Sequence, residues 1–200
     1  MQITRPHFEK KRRDKQRKIL DAARLVFCRK GFLAVKMQDI IDECGISRGG
    51  IYIYFSSVDE IFLEVMKDRG ADKLCDIKKG IVNNSPFPEV FDMYMAKQKQ
   101  RLSQFEQSLF RAYCEYIFSK PKAAVHAFRD SQLSQLRGSV EDVLALGARQ
   151  GCLDAADIKK LAVHFIAMVD GLSILALGDA LTNDIIETQF EILEKIIFRR

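Results

Sequence analysis

The segment Gly45-Ile46-Ser47-Arg48-Gly49-Gly50-Ile51-Tyr52-Ile53-Tyr54-Phe55 gathers residue types that seldom share a solvated helix face. Ile46, Ile51 and Phe55 fall at helical spacing and can pack inward on Ile40, Ile41 and the helix before them. Arg48, Gly49, Gly50, Tyr52 and Tyr54 then point outward. Two glycines weaken a helix, and two tyrosines beside an arginine are a poor choice for water. A duplex groove accounts for all of them. Glycine lets the backbone approach phosphate and sugar, and tyrosine bonds a phosphate or touches a thymine methyl. An arginine near the helix start reaches guanine O6 and N7, a contact worth about 1–3 kcal/mol of base discrimination. Ser47 is a good N-cap, and a helix N-terminus favours phosphate.

The chemistry is therefore recognition, and no catalytic residue is expected. The chain has no G-x-x-x-x-G-K loop, no dinucleotide fingerprint, no H-E-x-x-H and no G-x-S-x-G. No cofactor is expected. His126 and His164 have no acidic or cysteine partner at ligand spacing, so no metal site is expected.

Helices must position these residues. Strand signals are nearly absent, and apolar residues recur every three or four positions, so the chain reads as all-α. Ile19, Ala22, Ala23, Val26 and Phe27 form one stripe on a first helix that Gly31 ends. Asp39 to Cys44 is a short second helix stopped by Gly45, and a third begins after Ser47, which makes a helix-turn-helix. Ser57-Val58-Asp59-Glu60 is a capping box in which Ser57 Oγ accepts from the N3 amide and Glu60 reaches back to the Ser57 amide. That fourth helix carries Ile61, Phe62, Val65 and Met66 inward and extends to Lys79. The breaker cluster Asn83 to Pro88 then suits a hinge. About five more helices follow, with breaks near Lys120-Pro121, Gly151 to Asp154 and Gly178 to Asn183.

Charge is concentrated at one end. The chain of 200 residues has a net charge of +5, yet its first 20 residues alone hold +6, leaving the other 180 at −1. Arg5, Lys10, Lys11, Arg12 and Arg13 precede the first helical stripe as an arm able to reach phosphates or a minor groove. Cys28, Cys44, Cys75, Cys114 and Cys152 are far apart and odd in number, as expected of reduced thiols in the cytoplasm. No signal peptide is expected. Leu161 to Leu177 is broken by His164, Asp170 and Ser173 and reads as a buried helix, so no membrane partner is expected. In the last helix, Ile185, Ile186, Phe190, Ile192, Leu193, Ile196 and Ile197 cover much of the circumference, which suits contact with a second chain.

In order and spacing, several groups of residues from about Lys15 to Val65 resemble the DNA-binding domain of the TetR family of bacterial transcription regulators. They are Ile19, Ala22, Ala23, Phe27 and Gly31-Phe32; Asp39-Ile40; Gly45 to Tyr52; Tyr54-Phe55; and Ser57, Asp59-Glu60 with the apolar pair after them. The resemblance implies an N-terminal helix-turn-helix domain with its basic arm, residues 1–60, and a helical effector-binding and dimerisation domain, residues 61–200. It places Ser47, Arg48, Gly49 and Gly50 at the start of the recognition helix, with Tyr52 and Tyr54 on DNA and Ile51, Ile53 and Phe55 structural. Lys36, Gln38, Arg12 and Arg13 join them as DNA contacts.

The chain departs from the family pattern in three places. Val35-Lys36 replaces the usual Thr or Ser pair that opens the second helix, leaving Lys36 to hold a phosphate. Ile41 stands where a small residue is usual, and Val58 where a lysine is usual. The resemblance further implies a homodimer on a near-palindromic duplex operator, acting by repression and released by an unidentified small molecule. Val169-Asp170-Gly171-Leu172 resembles a common element of the family's penultimate helix. The dimer interface is expected at Phe165, Leu172, Leu175, Ile186, Phe190, Leu193 and Ile197. Candidate effector contacts by helical position are Phe105, Leu109, Tyr113, Tyr116, Phe128, His164, Phe165 and Met168. The competing reading is a helical ligand-binding or scaffolding protein whose DNA-binding head has degenerated.

Overall fold

The computed structural model describes residues 5–67 and 74–198, with side chains from Glu9 onward. Among these residues there are helices and no strand. They fall into two compact units. The first comprises residues up to 69 together with 106–120, and the second comprises 70–105 and 121–200.

The first unit contains α1 (Arg5–Lys30), α2 (Met37–Cys44), α3 (Arg48–Tyr52), α4 (Val58–Lys67) and α7 (Phe110–Ser119). Ile19, Ala23, Val26 and Phe27 of α1 are fully buried, as their spacing requires. Gly31 ends the helix at φ +76°, and a side chain there would also run into the Glu115 carboxylate. Two ion pairs bind α1 to α2, Arg29 with Glu43 and Lys30 with Asp39 at 2.6 Å. Gly45, at φ +63°, ends α2 by donating to the Ile41 carbonyl.

An aromatic cluster binds α1, α4 and α7. Phe62 lies 5.0 Å from each of Phe27, Phe32 and Tyr116, and Phe32 meets Tyr116 edge-on at 4.9 Å. Such pairs contribute about 0.5–1.5 kcal/mol each beyond their burial. Lys120 sits over the rings of Phe32 and Tyr116 and pairs with Asp59. Beside the cluster, Glu115 Oε2 accepts the amides of Phe32 at 2.6 Å and Leu33 at 2.9 Å, while Oε1 accepts from Arg111 at 2.9 Å. Partial burial alone would raise this carboxyl, but the bonds from Leu33, Arg111 and Phe32 outweigh it and hold it below the ordinary glutamate range.

The second unit contains α5 (Cys75–Val82), α6 (Phe87–Ser103), α8 (Lys122–Arg149), α9 (Ile158–Leu177) and α10 (Asn183–Phe198). Its core is built on Phe87, Phe91, Tyr94, Phe165 and Phe190. Gly147 of α8 has no side chain because a Cβ there would lie 2.8 Å from the Phe87 ring. Gln150 serves the neighbouring turn: its Oε1 accepts the Phe87 amide at 2.7 Å and its Nε2 donates to the Ser85 carbonyl at 2.9 Å. That bond satisfies one of the donors exposed at the start of α6. Ala155–Leu177 is long and apolar enough to cross a bilayer. Its Ala162, Phe165, Ile166, Val169, Leu172 and Ser173 are instead core residues of this unit.

Several expectations need correction. The basic segment is no separate arm, because α1 begins at Arg5 and the exposed Lys10 to Arg13 are part of the helix. The helix expected from Ser57 to Lys79 is interrupted at Leu74, a turn residue before α5 starts at Cys75, and its part from 68 to 73 lies outside the described residues. The division expected at residue 60 falls instead between 69 and 70, since α4 packs on α1, and the later helix α7 belongs to the first unit as well. The breaker cluster is a tight turn, Asn83 to Pro86, followed by Phe87 and Pro88 in the first turn of α6, all inside the second unit and not a hinge between units.

Because the native carboxyl of Glu115 is depressed, its stabilisation is present above the ordinary glutamate range and is lost as pH falls through the native value. Glu115→Gln should therefore lower the urea stability of the first unit at pH 7 by about 1–3 kcal/mol. The difference from the parent chain should shrink in acid, read by circular dichroism melts in urea from pH 7 to pH 3.

Candidate nucleic-acid interface

α3 is only five residues long, and three contacts hold it. Ser47 Oγ accepts the Gly50 amide at 3.3 Å, Ile51 is fully buried, and Phe55 just beyond the helix is buried too. What remains outward is Ser47, Arg48, Gly49 and Tyr52, all exposed, with Tyr54 half-buried. The Arg48 guanidinium lies 5.9 Å from the centre of the Tyr52 ring, so the two form one flat cationic and aromatic surface. Ile53 is 73% exposed, which corrects its expected structural role: it extends this outward surface.

The two glycines have different reasons. A Cβ on Gly50 would lie 2.8 Å from Ile46 Cγ2 and 3.1 Å from Ser47 Oγ, so the chain's own turn excludes a side chain there. A Cβ on Gly49 meets no atom within 4 Å. The fold places no demand on Gly49.

The start of α2 repairs its missing hydroxyl cap from within. Asp39 Oδ2 accepts the Lys36 amide at 2.8 Å and Oδ1 accepts from Lys30 at 2.6 Å. The Lys30 bond first, then the Lys36 amide, hold Asp39 below the ordinary carboxylate range. The Lys36 ammonium is left exposed, and Gln38, also exposed, donates to Asp42 at 2.7 Å. On α1, Arg12 is exposed and Arg13 reaches Glu9 at 3.8 Å. At α4 the Ser57 cap forms as expected, accepting the Glu60 amide at 3.1 Å. The return bond differs: Glu60 takes the amide and hydroxyl of Ser56, at 2.7 and 2.8 Å, in place of the Ser57 amide. Those two bonds lower the Glu60 carboxyl.

The expected effector residues are divided between the two units. Leu109, Tyr113 and Tyr116 lie in the first unit, and Tyr116 is a member of its aromatic cluster. Phe105, Phe128, His164, Phe165 and Met168 lie in the second. Of these, Phe165 lines a cavity in that unit's core, shared with Phe91, Tyr94, Val143, Leu144 and Leu161. The cavity holds about 10 Å³, room for about one water. His164 faces outward instead, on an open groove of about 560 Å³ beside Cys152, Lys160 and Ile196. His126 does have an acidic partner, Asp130 at 3.0 Å one turn on. No cluster of three potential metal ligands occurs among the described residues.

The expected dimer residues also need correction. Phe165, Leu172, Ile186, Phe190, Leu193 and Ile197 are buried in their own chain, and of the seven only Leu175 is exposed. A second apolar stripe lies outward on the same two helices: Val163, Ile174 and Leu175 on α9, and Ile192 and Ile196 on α10. Periodicity revealed a broad apolar surface, but not which of its two sides the chain keeps for itself.

Comparison with known proteins places this geometry. Residues 19–65, which run from α1 into α4, match the family model of bacterial regulatory proteins of the tetR family. The chain is 34% identical over 179 residues to the uncharacterized HTH-type transcriptional regulator YfiR of Bacillus subtilis, spanning 85% of this chain and 82% of that one. Two solved structures share the fold. A TetR-family transcriptional regulator of Agrobacterium tumefaciens has a TM-score of 0.73 at 20% identity, covering 92% of this chain and 97% of that one. The transcriptional regulator FadR of Bacillus subtilis, solved in complex with stearoyl-CoA, has a TM-score of 0.67 at 15% identity, covering 90% and 97%. With the helix-turn-helix of α2 and α3 in front of a helical second unit, the chain belongs to the TetR family of transcription regulators.

Proposed function

We propose that the protein is a cytoplasmic, ligand-responsive repressor that binds a near-palindromic operator as a homodimer. The observation that carries this reading is the outward surface of α3: Arg48 stacked along Tyr52, open space over Gly49, and Ile53 uncovered beside them. Arg48 reads a guanine edge, Tyr52 and Ile53 meet sugar or thymine methyl, and the Gly49 backbone approaches phosphate. Lys36, Gln38, Ser47, Gly50 and Tyr54 frame that contact, and Arg12 and Arg13 with the rest of the basic face of α1 add phosphate contacts. Two such heads, about one helical turn or a multiple of it apart, match a pseudo-palindrome.

Dimerisation uses the outward stripes of α9 and α10. Five large apolar side chains in water are unfavourable for a monomer, and a two-fold pairing of the same two helices buries them at once. A small molecule bound in the second unit relieves repression, a role the fold also supports through its likeness to a regulator solved with a small molecule.

Three measurements check this reading. Binding of the pure protein to its own upstream DNA, followed by fluorescence anisotropy, should weaken steeply with salt, with a log–log slope that becomes shallower by about one when Lys36 is changed to Ala. Arg48→Ala should relax sequence choice by about 1–3 kcal/mol. A chain that ignores this DNA at low salt is not such a regulator.

The glycines give a sharper contrast. Gly49→Ala should leave thermal stability equal or higher and weaken DNA binding at least tenfold, whereas Gly50→Ala should lower stability first, because Ile46 must move. Replacing Ile192 and Ile196 together by Glu should give a folded monomer by light scattering, with operator affinity lost along with the dimer.

A further inference from the structure

Asp42 is a carboxylate in an unfavourable place. It lies in the last turn of α2, where the helix dipole favours a cation, and α2 opens the helix-turn-helix that meets a polyanion in the reading above. Glu43, its neighbour in the same turn, is offset by the Arg29 guanidinium of α1. Asp42 has no cationic partner among the described residues; its partner is Gln38, whose Nε2 donates to Asp42 Oδ1 at 2.7 Å. Gln38 and Asp42 stand one turn apart, and both are exposed. Ile40 and Cys44 turn into the core, while Asp39 and Glu43 reach Lys30 and Arg29 of α1. Gln38 and Asp42 thus form the side of α2 that neither the core nor α1 occupies.

The bond between them decides what Gln38 can offer. A carboxylate only accepts, so the amide must turn its nitrogen toward Asp42, which leaves Oε1 and the second N–H for another molecule. A phosphate has acceptors and a negative charge only, so an amide oxygen with a carboxylate beside it suits it poorly. A base edge suits it when that edge offers a donor. In the major groove adenine shows its N6 amino group next to the N7 acceptor, which match Oε1 and the second N–H. Guanine shows two acceptors, N7 and O6, and thymine shows O4, so each sets an oxygen against Oε1. Cytosine offers the N4 donor without the acceptor beside it.

We infer that Asp42 is a positioning residue for base recognition: by holding the Gln38 nitrogen it sets the amide for adenine and turns guanine away. This inference rests on the regulator reading above and names the base that one of its contacts selects. The carboxylate supplies the rejecting half of that choice, since it orients Oε1 outward and adds its own charge against an acceptor-rich edge. Without Asp42 the amide is free to rotate and present either end. The Gln38 contact then survives and its selectivity is lost. Asp42 itself touches no base and acts through Gln38 alone.

The test selects duplexes from a randomised library with the parent chain. Single-base variants of the selected site are then measured by fluorescence anisotropy for the parent, Gln38→Ala, Asp42→Ala and Asp42→Asn. For the parent, one symmetry-related pair of positions should require adenine, with guanine there weaker by about tenfold or more. Gln38→Ala should bring the four bases at that pair within about threefold of one another and leave the choice elsewhere intact. Asp42→Ala should lower the adenine-to-guanine ratio by about fivefold or more, while binding to duplexes in general stays equal or strengthens, because a negative charge is gone. Asp42→Asn keeps an accepting oxygen and should retain part of the ratio. The assignment is overturned if no position responds to Gln38→Ala, if the base that responds is not adenine, if Asp42→Ala leaves the ratio unchanged, or if Asp42→Ala weakens all duplexes alike. A selected site whose bases ignore both residues removes this inference alone, whereas failure to select any duplex at low salt removes the regulator reading itself.

Discussion

The first unit depends on one packing arrangement, the meeting of Phe27, Phe32, Phe62 and Tyr116. α2 and α3 are eight and five residues long, far too short to persist as isolated helices in water. α2 exists because α1 presents an apolar surface to lean on, α3 leans in turn on α2, and α1 is held by the aromatic rings it shares with α4 and α7. Glu115 fixes the arrangement by filling the place that a side chain at residue 31 would need and by taking the two amides just beyond it. The outward face of α3 is thus positioned by contacts on the far side of the unit. Its exposed arginine, glycine and tyrosine carry none of the folding.

Much of this was legible in the sequence. The stripes Ile19 to Phe27 and Ile61 to Met66, the left-handed stops at Gly31 and Gly45 and the Ser47 cap appear where spacing put them, because each rests on local geometry that few residue types satisfy. The outward set on α3 was legible for a different reason: its residues make poor sense in water and good sense against a duplex. Sequence could not separate Gly49 from Gly50. Both depress helix propensity equally, and only the position of the Ile46 side chain shows that one serves the turn and the other leaves space.

What was not legible is long-range. Nothing local marks Phe110 to Ser119 as a member of the first unit, since its partners, from Phe32 to Phe62, lie tens of residues earlier. For that reason the sequence reading grouped Tyr113 and Tyr116 with residues of the second unit. The same limit affected α9 and α10. Both carry apolar residues on two sides, and a 3.6-residue period reports that an apolar stripe exists without saying which neighbour covers it. Ile186, Phe190 and Leu193 went to the chain's own core, and Ile192 and Ile196 were left outside.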